Sequence, residues 1–315
     1  MKQLTYRLAC LIPGLLVCNL AWATDLQRAL LDSAIIGDKE SVQLLLKKGA
    51  KPNAKSKFGK SAMMFAAENG NDDVVSLLMD SGADVNSRSQ AGCTALTYAA
   101  ENGHNNLVNY LLDKGAKTYP KTRAGWDALA MATRQGHRDI MHSLILRKAN
   151  VNTSDKDGIS ALMAAAVNND QHAANMLLDA DADLHVRDKN GMSAMMLASC
   201  KGHQNLVLLL LKRGANVNAV NNDAETSLFC AAAGGHTGLI NLLLKKGADI
   251  NHHDRVGETA LFAATLNHQI NAVRFLLQHG ADPSIKNSKG QTARDVAIKR
   301  GMHNIANLFK QHTGK

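Results

Sequence analysis

The sequence predicts an all-α solenoid in which similar helical units stack into one elongated array. Two phrases return in register at a spacing of 33 residues or a multiple of it. The first runs from a leucine into Gly-Ala-Asp or Gly-Ala-Asn, at 78–86, 210–218, 243–251 and 276–282. The second, Gly-x-Ser/Thr-Ala followed by apolar residues, occurs at 59–67, 92–100 and 257–264. Apolar rows such as Val74, Val75, Leu77 and Leu78 recur at helical spacing, so each unit must bury this face against its neighbours.

This pattern resembles the ankyrin repeat from about Thr24 to the C-terminus. The resemblance implies about nine helix-turn-helix units with projecting finger turns. We expect an N-terminal capping repeat at 24–55, seven ankyrin repeats at 56–286 and a C-terminal capping repeat at 287–315. Charged and polar groups in the first helix, and Arg294 with Asp295 in the last unit, suit open terminal faces.

A different segment precedes the array. Lys2 and Arg7 form a positive start, residues 8–20 are mostly apolar, and Ala21-Trp22-Ala23 has the small-x-small form of a signal-peptidase site. We therefore interpret 1–23 as a signal peptide, because its apolar run is shorter than the roughly 18 residues of a spanning helix. Cleavage would release the protein into the bacterial periplasm, without stable insertion into the membrane. The alternative is full secretion from the cell.

The charge balance excludes few partners. After cleavage before Thr24 the chain has 34 Lys and Arg against 27 Asp and Glu, a net charge of +7, spread evenly. Basic stretches are short and not interleaved with aromatic residues, so nucleic acid is not expected as a partner. The balance favours acidic partners mildly.

Catalytic and metal-binding motifs are missing from the sequence, so we expect no enzyme activity, no cofactor and no metal. His104, His137, His203 and His236 follow the glycine between the two helices, where the family resemblance implies a hydrogen-bonding role. His252, His253 and Asp254 lie in a finger turn, where an exposed polar turn is favoured over a metal site.

Two repeats lack the glycine that normally ends the second helix in a left-handed conformation. Lys148 and Asp181 stand there, and Asn169 and His268 replace the glycine between helices. Ordinary drift of a long array and a flexible joint near 148–181 both explain these changes.

Three cysteines remain after cleavage, and we expect all to be free thiols. Cys200 and Cys230 lie in adjacent repeats but about a turn apart, and Cys93 is further away. The resemblance implies that Cys93 and Cys200 occupy exposed steps, whereas Cys230 is a small packing residue. The methionines of the first helices are expected to fill the core; they are Met63, Met64, Met163, Met195 and Met196.

The resemblance implies that a partner contacts the finger turns and the outer ends of the first helices. We place the centre at Trp126, since Trp and Arg dominate interface hot spots; the alternative is a Trp that covers apolar surface. The candidate protein-binding residues are Phe58, Lys60, Arg88, Arg123, Trp126, Arg134, Gln135, Ile159, Met192 and Lys201.

The predicted function is a monomeric, non-catalytic protein-protein interaction module of the bacterial envelope. One version is stoichiometric inhibition, such as immunity to a toxin like a lipase. Another is support of a partner enzyme such as a catalase. The alternative is binding of an acidic polymer or lipid surface through the basic finger turns.

Overall fold

The computed structural model describes residues 22–313, and within that range the chain forms eighteen helices in nine consecutive pairs. This confirms the all-α solenoid of about nine helix-turn-helix units. The predicted signal peptide lies outside the described residues except for Trp22 and Ala23, at the start of α1. The helices are α1 Trp22–Ile36, α2 Lys39–Lys47, α3 Ala62–Asn69, α4 Asp72–Asp80, α5 Ala95–Asn102, α6 Asn105–Asp113, α7 Ala128–Gln135, α8 Arg138–Leu146, α9 Ala161–Val167, α10 Gln171–Asp179, α11 Ala194–Cys200, α12 Gln204–Lys212, α13 Ser227–Ala233, α14 Thr237–Lys245, α15 Ala260–Leu266, α16 Ile270–Gln278, α17 Ala293–Lys299 and α18 His303–Thr313.

The first helices from α3 to α17 have seven or eight residues, contain at least two alanines each and, except for α15, begin with a side-chain cap. The side chain of Ser61 accepts a hydrogen bond from the backbone N–H of Met64 at 3.3 Å, which satisfies one of the free donors at the start of α3. Ala66 and Ala67 are fully buried, so that α3 lies close to α5. All five methionines expected in the core are buried, which confirms that prediction. Within residues 22–313, no helix combines the length and apolar character needed to cross a bilayer.

Histidine side chains connect successive units. In each case the ring Nε2 donates to a backbone carbonyl near the end of the preceding first helix. The bonds are His104 to Glu68 at 3.0 Å, His137 to Glu101 at 3.2 Å, His203 to Val167 at 3.2 Å and His236 to Cys200 at 3.4 Å. The predicted hydrogen-bonding role of these four histidines is therefore confirmed.

Asparagine side chains form a second connection on the loops that follow the second helices. The Nδ2 of Asn152 donates to the carbonyl of Asp181 at 3.2 Å, and its Oδ1 accepts from the backbone N–H of Asp183 at 2.6 Å. Asn86 and Asn218 make the same pair of bonds to their next repeats. The side-chain amide of Asn152 thus bonds to the next repeat through both its nitrogen and its oxygen.

The expected left-handed positions are confirmed. The φ angles are 56° at Lys148, 56° at Asn169, 63° at Asp181 and 58° at His268. Sequence reasoning missed a fifth position, Ala224, with φ 64°. Each of these residues carries a Cβ in a region that glycine adopts without steric cost.

The cysteine prediction was wrong in two respects. Cys200 and Cys230 form a disulfide between α11 and α13, with Cα atoms 4.5 Å apart. Cys200 is the last residue of α11 and Cys230 lies in the middle of α13, so the two packed helices are offset along their length. Cys93 was expected to be exposed, but it is only 8% exposed.

Candidate protein-binding surface

A row of finger turns precedes the first helices. We define a finger as the six residues that end just before the helix cap, for example 55–60, 88–93 and 121–126. Neighbouring fingers are joined by backbone hydrogen bonds, from Gln90 N to Phe58 O at 3.0 Å and from Arg123 N to Ala91 O at 2.7 Å. The same bond recurs from Lys156 N to Ala124 O at 2.9 Å. The fingers therefore form one continuous edge of the solenoid.

Glycine is needed where one finger approaches the next. Gly92 has φ 81°, and a Cβ built there would lie 2.8 Å from the carbonyl oxygen of Lys121. Ala224 stands at the equivalent position of the finger 220–225. Its carbonyl accepts a hydrogen bond from the Nε2 of His252 at 2.9 Å, so His252 has a structural role that was not expected from the sequence. Of the three residues expected to form an exposed polar turn, His253 is exposed, His252 is partly buried and Asp254 is buried, so the prediction holds only for His253.

Trp126 lies in the third finger with its side chain partly exposed. The guanidinium of Arg134, at the outer end of α7, lies over the indole ring at 5.0 Å from the centroid. Arg123 and Gln135 are exposed in the same repeat. The structure thus brings together an aromatic ring and several hydrogen-bond donors, as the sequence predicted; whether they bind a partner stays a prediction.

Lys60 is not an exposed cation, as its place among the candidates had assumed. Its side chain is 12% exposed and forms an ion pair with Glu68. The ammonium also lies 4.4 Å from the ring centroid of Phe65 and 4.1 Å from that of Tyr98. Cation–π contacts and an ion pair hold it in the repeat stack, so its first role is structural.

The remaining candidates differ in exposure. Phe58 is 63% exposed. Lys201 is exposed, whereas Ile159 and Met192 are partly buried. Arg88 is exposed, but its guanidinium donates to backbone carbonyls, one in its own finger and that of Lys121 in the next.

A charged row on the first helices was not recognised as a unit from the sequence. Burial raises the pKa of the Glu101 carboxyl above its usual range, and the like charge of Glu68 raises it further. The charges of Arg134 and Lys60 act in the opposite direction. These residues come from three repeats. The only signal in the sequence was that Glu68, Glu101 and Arg134 share one position relative to the helix cap; Lys60 lies in the finger before it.

Within the part of the chain that the structure describes, no three His, Cys, Asp or Glu side chains come together as metal ligands.

Comparison with known families places the repeats along nearly the whole chain. A family model described as ankyrin repeats (three copies) matches residues 30–122, 117–188, 180–254 and 228–315. No curated protein matches the chain.

Proposed function

Because the chain belongs to the ankyrin-repeat family, whose arrays are protein-protein interaction modules, we propose that it binds another protein through its N-terminal fingers, with Trp126 at the centre. The observation that carries this proposal is the pairing of Trp126 with Arg134, whose guanidinium lies 5.0 Å from the ring. Such a pair offers a large apolar face and several donors at low entropic cost. Interface hot spots favour this combination.

The role we propose is non-catalytic and lies in the bacterial periplasm. The small-x-small site that ends at Ala23 supports export. In one version the protein inhibits an enzyme or toxin stoichiometrically, in the way that an immunity protein inhibits a lipase toxin. In the other it supports an envelope enzyme such as a catalase. N-terminal sequencing of the protein purified from the envelope tests the compartment: a chain that begins at Thr24 supports export, and an intact Met1 on that material contradicts it.

A comparison of Trp126→Ala with Tyr119→Ala tests the binding surface. Tyr119 is an aromatic residue that is 65% exposed but lies outside the fingers, which makes it a matched control. Both variants, bearing an affinity tag, are used to capture partners from envelope extract, and captured proteins are identified and titrated. Trp126→Ala should weaken the captured complex by about 2 kcal/mol or more, and Tyr119→Ala should leave it unchanged.

Circular dichroism during urea unfolding separates binding from packing. Trp126→Ala should keep the wild-type unfolding midpoint. A variant that loses stability but retains full affinity once folded would show that Trp126 covers apolar surface and that the binding centre lies elsewhere.

A second candidate, recognition of an acidic polymer or lipid surface, is favoured by the cations of the fingers. Salt distinguishes the two, because a complex held by buried aromatic contacts resists moderate salt and a polyanion complex does not.

A further inference from the structure

Charge is distributed unequally along the finger row. The fingers 55–60, 88–93 and 121–126 together carry six Lys or Arg and no Asp or Glu. Each of the next four fingers carries at least one carboxylate. There Asp157 pairs with Lys189 at 2.9 Å. The first three fingers therefore form a basic segment, which we call the basic finger row.

Lys60 is paired with Glu68, but three other cations of this row are held at regular intervals without an ion pair to any described residue. The Nζ of Lys55 donates to the carbonyl of Arg88 at 3.1 Å, the guanidinium of Arg88 donates to the carbonyl of Lys121, and the Nζ of Lys121 donates to that of Ser154 at 3.4 Å. Each cation thus reaches the equivalent residue one repeat later. Carbonyls are neutral acceptors, so the positive charges remain available to an anion while their positions are fixed by the stacking of repeats.

Two further cations of the row are free to contact a partner. The side chains of Lys57 and Arg123 are exposed and make no hydrogen bond or ion pair with another residue between 22 and 313. Lys57 lies 4.9 Å from the ring centroid of Phe58, which is itself 63% exposed. The row therefore combines positive charge with an exposed apolar ring.

We propose that the basic finger row binds an extended acidic segment of the partner protein, in polyproline II conformation, with a carboxylate at every third residue. Neighbouring helix layers lie roughly 8–10 Å apart. A polyproline II segment rises about 3.1 Å per residue with three residues per turn, so every third side chain points the same way at intervals of about 9 Å. One carboxylate then meets each of the three fingers.

This inference rests on the proposed function, since it names the chemistry of the protein partner. Phe58 favours a peptide over an inorganic or sugar polyanion, because a peptide supplies apolar groups that cover an exposed ring, whereas polyphosphate does not. The regular spacing of the cations also matches a segment with a defined period, which a lipid headgroup layer lacks.

Two labelled peptides of the same composition test the proposal. The first repeats Glu-Pro-Pro three times, so that proline enforces the conformation and each turn presents one carboxylate. The second contains the three glutamates in succession followed by the prolines. Fluorescence anisotropy should show that the spaced peptide binds about tenfold more tightly than the clustered one. The affinity of the isolated peptide should fall as salt is raised, because the peptide lacks the Trp126 contacts that keep the whole partner bound at moderate salt.

Charge reversal locates the binding site. The double variant Lys57→Glu with Arg123→Glu changes two side chains that hold no structural bond, so its fold, checked by circular dichroism, should be unaltered. It should lose about tenfold in affinity for the spaced peptide. The control Arg255→Glu, an exposed cation in a finger that also carries carboxylates, should change the affinity less than about twofold.

Three results would overturn the inference: equal binding of the two peptides, no binding of either, or tighter binding of short-chain polyphosphate with the same loss in the double variant. Each of these leaves the Trp126 experiment unaffected. A partner captured through Trp126 but indifferent to Lys57 and Arg123 would retain the proposed function and reject only the acidic segment.

Discussion

Asp170 and Arg138 form an ion pair between two successive repeats, with Arg138 Nε 2.9 Å from Oδ2 and 3.1 Å from Oδ1 of Asp170. Asp170 occupies the position at which four other repeats have their bridging histidine. Its side chain also caps α10, where it accepts from the backbone N–H of Ala173 at 2.9 Å. At this junction Asn168 makes the bond to the preceding first helix, from its Nδ2 to the carbonyl of Arg134 at 2.9 Å, and the ion pair of Asp170 adds a charged connection.

The Asp170 pair should make stability depend on pH. Burial opposes ionisation of Asp170, but hydrogen bonds from Arg138 and Ala173 and the charge of Arg138 outweigh it and lower the pKa below its ordinary value of 3.8. The contribution is therefore complete above the ordinary pKa and is lost as pH falls through the folded-state value. Asp170→Asn keeps a capping group and should cost about 1 kcal/mol at pH 7, with the difference from wild type shrinking under acid.

The control for that experiment is Asp157→Asn, which removes an ion pair whose side chains are both largely exposed. Urea unfolding should show a cost below about 0.5 kcal/mol for this variant. A pH-independent difference between Asp170→Asn and wild type would mean that the ion pair contributes nothing beyond the cap.

Reduction of the Cys200–Cys230 disulfide should destabilise the array. The bond closes a loop of 30 residues in the unfolded chain, and the chain-entropy model assigns it about 3 to 4 kcal/mol. In a Cys93→Ala background, Cys200→Ser should lower the free energy of unfolding by that amount. Addition of reductant should lower the parent protein to the same level and leave the variant unchanged; an equal response of both proteins would contradict the pairing.

Glycine at the left-handed positions should stabilise the protein. Lys148→Gly and Asp181→Gly are each expected to add roughly 0.5 to 1 kcal/mol, and Ala224→Gly about 1 kcal/mol, because a Cβ disfavours positive φ. Denaturant midpoints provide the measurement. Unchanged or lower midpoints for all three variants would show that the cost of the left-handed backbone is offset by local contacts.

Lys60 should behave as a structural residue. Lys60→Met keeps a long apolar stem but removes the charge that pairs with Glu68 and contacts the Phe65 and Tyr98 rings. We expect a loss of about 1 to 2 kcal/mol in the free energy of unfolding. Lys57→Met, at an exposed position of the same finger, should change it by less than about 0.5 kcal/mol. Equal effects of the two substitutions would return Lys60 to the set of exposed binding residues.

Much of the fold followed from the sequence because a repeat maps equivalent positions onto equivalent local structure. The Met63 and Met64 side chains are buried, as predicted from their positions in the repeated sequence of the first helix. Lys148 and Asp181 have positive φ, as predicted from the glycine that occupies the same position in other repeats, because the second helix ends there in the left-handed conformation. The role of His104 follows in the same way. Each of these features depends on one unit and its immediate neighbour in a known register.

The candidate surface could be predicted only in part. Its positions, including Trp126 in a finger and Arg134 at the end of the first helix, came from the repeat pattern. Which of its cations are available did not, since the ion pair of Lys60 with Glu68 and the bonds of Arg88 to backbone carbonyls arise from side chains reaching toward particular neighbours.

Tertiary structure alone decided the features that depend on the offset between stacked helices. Cys200 and Cys230 were expected to lie too far apart because their helix positions differ by about a turn, yet the end of α11 lies beside the middle of α13. Ala224 was overlooked because its finger keeps the turn without glycine, with His252 bonded to its carbonyl. A periodic sequence specifies which face of each unit is buried, but the close packing of two alanine-rich helices determines which individual atoms meet across the interface.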